Sequence, residues 1–167
     1  MDITLFAKLT TPAEADRIRV YDDATGKTIG PGTLVKGNPT IAIGRNVGPS
    51  GPGLRQSEIV SMLNNDEAYY ESQARTFLWY PKLDAIRQTV VCCMIFNMGL
   101  PRFGGFHKLI AALGQLVNET DPAARLATLK VCHDEMLASE WAEEPPVGVG
   151  IRAEHLAEIM QSGVPPL

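Results

Sequence analysis

The chain has 167 residues, 45% of them apolar and 20% charged, which is the balance of a folded domain and excludes disorder over most of its length. Fifteen Lys and Arg stand against 19 Asp and Glu, a net charge of −4. That argues against a dedicated nucleic-acid binder, because phosphate backbones call for a basic surface.

The first residues, MDITLFAKLTTPAEAD, carry no basic n-region and only a short apolar stretch. No signal peptide is expected. Residues 22–54 are dense in Gly, Pro, Thr and Asn with β-branched residues between them, the composition of short strands and turns. Two apolar pieces there, 33–35 and 40–43, flank 36–39 and predict a hairpin or small sheet. From Ser57 the pattern turns helical, with Ser57 as a cap before Ile59, Val60, Met62 and Leu63. The clearest helix is 83–98, ending at Gly99 and followed by Pro101. Its second half is apolar all round, which predicts a buried central helix. Further helices are expected over 106–117 after a Gly104-Gly105 break, over 122–141 behind an Asp121 cap, and over 152–161. The longest apolar run, 90–96, is far short of the ~20 residues that span a bilayer, so no stable membrane insertion is expected. The expected fold class is α+β within a single domain, with a small β-containing lobe at about 12–56 and a mainly α-helical lobe at about 57–167.

Several apparent motifs fail. Gly26-Lys27-Thr28 ends like a phosphate loop, but Tyr21 stands where the first Gly is needed. Gly30-Pro31-Gly32 reads as a turn. The three cysteines, Cys92, Cys93 and Cys132, are an odd number, and two are adjacent in an apolar run. They read as reduced, buried thiols. Cys132-His133 has no second ligand at helical spacing, and there is no CxxC or HExxH. No metal site and no organic cofactor are expected.

What remains is acidic. Glu14 and Asp23 are separated by eight residues, and Thr40 follows in PTIAIG. A helix end followed by a strand could hold the two carboxyl groups across a cleft. Glycoside hydrolysis wants such a pair, one acid to protonate the leaving oxygen and one carboxylate to attack or to activate water. A hydroxyl such as Thr40 could hold that water. Each residue also has a plain reading. Thr11-Pro12-Ala13-Glu14 fits a capping box with Pro at N1. Asp22 and Asp23 fit a turn before Gly26, and Thr40 fits a strand.

The stretch from Glu14 to Asn46 resembles the amino-terminal signature of phage-type lysozymes, the tailed-phage endolysins of glycoside hydrolase family 24. That family carries Glu, eight residues, Asp, then Thr in a TIGxGH-like turn. The likeness continues in order through MLNNDEA at 62–68, LDAIRQ and MIFNMG within 83–99, GGF at 104–106, Trp141, and RAEHLAEIMQSG at 152–163. There are departures. Sixteen residues separate Asp23 from Thr40 where the family has five, so GKTIGPGTLVK reads as an inserted turn or strand. Thr28 in KTIGPGT offers a second register. Ala15 and Ala42 replace family glycines, and Arg45 replaces the family His.

The resemblance implies a muramidase acting on peptidoglycan glycan strands, with Glu14 as general acid, Asp23 activating water or stabilising charge on the sugar, and Thr40 positioning the water. It implies inversion, which requires carboxyls ~6.5–9.5 Å apart. It places Phe96 and Asn97 facing the cleft, Asn97 as a hydrogen-bond partner of an N-acetyl group, and Arg152 reaching Glu14. The plain alternatives are a helix-end polar residue for Asn97 and a surface charge for Arg152. The expected setting is a monomer held in the host cytoplasm until a separate pore-forming holin releases it to the wall, or carried in the virion. Two other readings stay open. One is a wall-binding or virion structural module without turnover. The other is a lytic transglycosylase using Glu14 alone, against which the retained Asp23 spacing argues.

Overall fold

The computed structural model describes residues 17–42, 44–143 and 149–164, without the side chains of Arg17 and of 149–152. The chain is α+β, with a small antiparallel sheet followed by helices. Its contacts divide it into two compact units, residues 1–62 and 63–167.

The first unit holds three strands in the order β1-β2-β3: β1 Arg17–Asp22, β2 Pro39–Ala42 and β3 Arg45–Asn46. β2 pairs antiparallel with both neighbours, Tyr21 facing Thr40 on one side and Asn46 facing Thr40 on the other. The pairing with β1 is bulged between Arg17 and Tyr21. On its other edge β1 folds back through a tight turn. The Asp22 carbonyl accepts from Thr25 and Gly26, the Asp22 amide donates to Lys27, and Tyr21 bridges Thr28. The segment 33–35 is not a strand, contrary to the hairpin its apolar residues predict. The partner of β2 is β1 instead, and the amides of Lys36 and Gly37 go to the Asp22 carboxylate. Ala42 and Gly44, at the β2–β3 turn, have φ of 51° and 69°. The turn demands the left-handed region, which suits glycine and strains alanine.

Helix α1, Gln56–Ala74, opens one residue before the expected Ser57 cap. Its cap is a carboxylate reaching back: Glu58 accepts from the Arg55 amide at 2.7 Å. Arg45 then binds Glu58 through both ends of its guanidinium, at 2.6 and 3.1 Å, and donates to the Gly53 carbonyl. The division between the units falls inside α1 and not at its start. Ile59, Val60, Met62 and Leu63 are exposed, and only Ala74 of this helix is buried.

The second unit is helical. A 3-10 turn, Tyr80–Lys82, precedes α2 Ala85–Met98, α3 Leu100–Phe103, α4 His107–Leu116, α5 Pro122–Leu137, α6 Glu140–Glu143 and α7 Val149–Ser162. The helix expected over 122–141 is therefore two, since Ala138 leaves the helical path after Leu137. Of the predicted ends, Asp121 accepts from the Ala124 amide with Pro122 at the first helical position, and Gly99 ends α2 at φ 80°. The start of α2 lies two residues beyond the expected Leu83, because Asp84 is its cap and accepts from the Arg87 amide. Val90, Val91, Met94 and Ile95 of α2 are buried with Phe103, Leu109, Leu113, Met136, Trp141 and Met160. Burying each such side chain is worth about 1.5–3 kcal/mol relative to exposure. The second half of α2 is not buried all round, because Phe96 is 52% exposed. Arg87 joins two ends of the unit, pairing with Asp84 at 2.7 Å and donating to the Met160 and Gln161 carbonyls at the end of α7. Those carbonyls are the unpaired acceptors every helix leaves at its C-terminus. No helix among the described residues is long and apolar enough to cross a membrane.

Candidate active site

The two neighbouring aspartates of the first unit have different tasks, Asp22 ending β1 and Asp23 opening the turn after it. Asp22 is 1% exposed and points inward. Its carboxylate accepts from the amides of Ala24, Lys36 and Gly37 at 3.1, 2.9 and 2.8 Å. These bonds close the long segment between β1 and β2, and Asp22 is more than the turn residue its sequence position indicates. The Lys36 amide does most to hold its pKa below the ordinary carboxylate value, against some opposition from burial.

Asp23 is exposed. One carboxylate oxygen accepts from the Asn38 backbone amide at 2.7 Å and the other from the Asn38 side-chain amide at 3.1 Å. The backbone bond is the larger reason that its pKa is lowered, and the side-chain bond comes next. Asp23 is thus a solvent-facing carboxylate kept ionised, unsuited to donate a proton and suited to stabilise positive charge or to take a proton from water. Gly37 makes this approach feasible. A Cβ at that position would lie 2.0 Å from Asp23 Oδ1 and 2.7 Å from the Ala24 Cβ.

Thr40 is 3% exposed, and its hydroxyl donates to the Asn38 carbonyl at 3.1 Å. Asp23 and Thr40 therefore each bond to a residue that the sequence reading passes over, Asn38. Its signal was the position of an amide side chain in GNPT, held extended by the proline that follows. Thr28, the other register, bridges the opposite edge of β1 and is exposed. Arg45 has its guanidinium on Glu58 and the Gly53 carbonyl.

In the second unit Phe96 and Asn97 sit together near the end of α2. Phe96 packs edge-on against Tyr70 at 5.2 Å, and Tyr70 against Tyr69 at 5.1 Å. Asn97 Oδ1 accepts from the buried Trp141 indole at 2.6 Å. Its carbonyl is thus committed to Trp141, and its NH2 is the end it can offer to another molecule. Glu14 lies outside the described residues. Arg152 falls on α7, with its side chain outside the description.

The three cysteines form no disulfide; Cys132 is buried, its pKa raised to about 12 by desolvation, while Cys92 and Cys93 are half-buried and not buried as their apolar run predicts. Cys92 lies 3.2 Å from the Tyr80 hydroxyl. Among the described residues no group of three or more His, Cys, Asp or Glu side chains is placed to hold a metal ion. The chain matches no protein-family model, and a comparison with curated proteins gives no match either.

Proposed function

We propose that the chain is a peptidoglycan hydrolase of the muramidase type, cleaving the β-1,4 bond between N-acetylmuramic acid and N-acetylglucosamine, in the service of a bacteriophage during host lysis or wall penetration. The observation that carries the reading is the exposed, ionised Asp23, held by both amides of Asn38, whose carbonyl accepts from the Thr40 hydroxyl. The ordered set of phage-lysozyme-like motifs supports it from the sequence side. In this reading Glu14 protonates the glycosidic oxygen. Asp23 activates the water or stabilises the oxocarbenium-like transition state. Thr40 spends its hydroxyl proton on Asn38 and keeps its lone pairs for a water. Phe96 offers an apolar face to a sugar ring, and Asn97 offers its NH2. Arg152 is the candidate to hold Glu14.

The test is loss of turbidity of outer-membrane-stripped Gram-negative cells, with mass spectrometry of the released fragments. Wild type should clear the suspension and release reducing ends. Glu14→Gln and Asp23→Asn, each checked for folding, should clear it at least about 100-fold more slowly, the usual loss when an acid or base is removed. Anhydro ends with Asp23→Asn still active would replace the muramidase by a lytic transglycosylase. Wall binding without clearance by wild type would replace it by a binding module.

A further inference from the structure

The insertion between Asp23 and Thr40 and the loop after β3 converge on one side chain. Asn38 Nδ2 faces Asp23, and Asn38 Oδ1 accepts from the Ser50 hydroxyl at 3.0 Å. Ser50 is carried by the loop 46–51, which is fixed against β2. The Val47 amide donates to the Pro39 carbonyl at 2.8 Å, and the Gly48 amide to Asn46 Oδ1 at 2.8 Å. Two glycines permit the packing. A Cβ on Gly48 would meet Pro39 Cδ at 2.8 Å, and one on Gly51 would meet the Asn46 carbonyl oxygen at 2.4 Å. An amide side chain can turn over, exchanging its oxygen and nitrogen. Here a donor on one side and a carboxylate on the other favour the same orientation.

We propose that Asn38 and Ser50 are positioning residues for Asp23: Ser50 fixes the Asn38 amide, and Asn38 fixes the carboxylate that faces solvent. The inference rests on the reading of Asp23 as the reacting carboxylate. The long segment between β1 and β2 ends, just before Pro39, in the residue that grips Asp23 with two donors. Asn38 also accepts from Thr40, so one residue sets both groups. Both donors favour the charged form of Asp23, while desolvation and, less strongly, the like charge of Asp22 at the end of β1 oppose it. The Ala24 amide adds a weaker favourable bond.

The experiment is a carbon-13 carboxyl titration of Asp23 in the full-length protein, for wild type, Asn38→Ala, Asn38→Asp and Ser50→Ala. It is accompanied by kcat and KM on purified peptidoglycan across pH. Asn38→Ala should move the Asp23 midpoint upward, and Ser50→Ala should move it the same way by less. Asn38→Asp, which sets a like charge against Asp23, should move it furthest. In the same order kcat should fall, by about 10- to 100-fold for Asn38→Ala, as when a reacting group loses its orientation. KM should hold, and the acid limb of the profile should follow the Asp23 midpoint. An unchanged Asp23 titration in folded Asn38→Ala and Ser50→Ala overturns the proposal, even if kcat falls. Should Asn38→Ala fail to fold, Ser50→Ala decides by the same criterion. Shifted titrations in a wild-type protein that hydrolyses nothing would overturn the muramidase reading and leave the grip on Asp23 standing.

Discussion

Asn97 and Trp141 illustrate how one hydrogen bond can settle what a side chain is for. The Trp141 indole is buried, and its N–H has Asn97 Oδ1 as its acceptor at 2.6 Å. A buried donor left without a partner costs about 1–3 kcal/mol. Asn97→Ala should therefore lower unfolding free energy by that amount in urea titration. Asn97→Asp, which keeps an acceptor, should lose less. A full-sized loss of wall hydrolysis with no loss of stability would instead make Asn97 a substrate residue first. The pair Asp22 and Asp23 shows the same principle from another side. Neighbours in sequence, they differ in exposure and partners because Asp22 ends β1 facing inward and Asp23 lies in the turn that follows. Sequence reading picked out Asp23 by its spacing from Glu14. It could not separate the two by environment, since the amides that distinguish them, at Lys36, Gly37 and Asn38, come from more than a dozen residues away.

The β2–β3 turn is the element most at odds with its own sequence. Ala42 is the one non-glycine residue with positive φ among the described residues. Alanine in the left-handed region costs on the order of 1 kcal/mol. Ala42→Gly should relieve that strain and raise the stability of the first unit by up to about 1 kcal/mol, less what glycine loses in chain entropy. Chemical denaturation followed by amide signals of β2 would measure it, and a clear destabilisation would sink the idea. The helix ends behave as their residues dictate. Gly99, Asp121 and Pro122 were legible because a cap acts within a few residues of itself. The start of α1 was misplaced at Ser57 because the actual cap is Glu58 folding back on Arg55, fixed further by Arg45. The expected pairing of 33–35 with 40–43 fails for a similar reason, although 39–42 does join a small sheet; the segment 36–37 that separates the two pieces is held elsewhere. Its amides are bound by a carboxylate on β1, a partner that local periodicity does not contain.

For the molecule as a whole, acid is the informative variable. Asp22, Asp23 and Glu58 in the first unit all have lowered pKa values, chiefly from backbone amides. A carboxylate whose folded value lies below its unfolded one stabilises the fold above the unfolded value, near 4. That stabilisation is lost as pH falls through the folded value. The first unit should therefore weaken progressively below about pH 4. Amide signals of Lys36, Gly37 and Asn38 should lose protection from hydrogen exchange over that window. In Asp22→Asn the exchange should be faster at neutral pH and depend less on acid. Equal acid sensitivity in wild type and Asp22→Asn would remove Asp22 from the account. Sequence alone determined the α+β class, the order of a strand-and-turn region before helices, and the ends marked by Gly99 and by Asp121 with Pro122, because those follow from composition, period and caps that act locally. It also singled out Asp23 and Thr40, through spacing and likeness to phage lysozymes. Only the tertiary structure decided which aspartate faces solvent, that Asn38 joins Asp23 to Thr40, and that Asn97 serves Trp141. Each of these depends on donors and acceptors distant in the chain, which meet only when the backbone has folded.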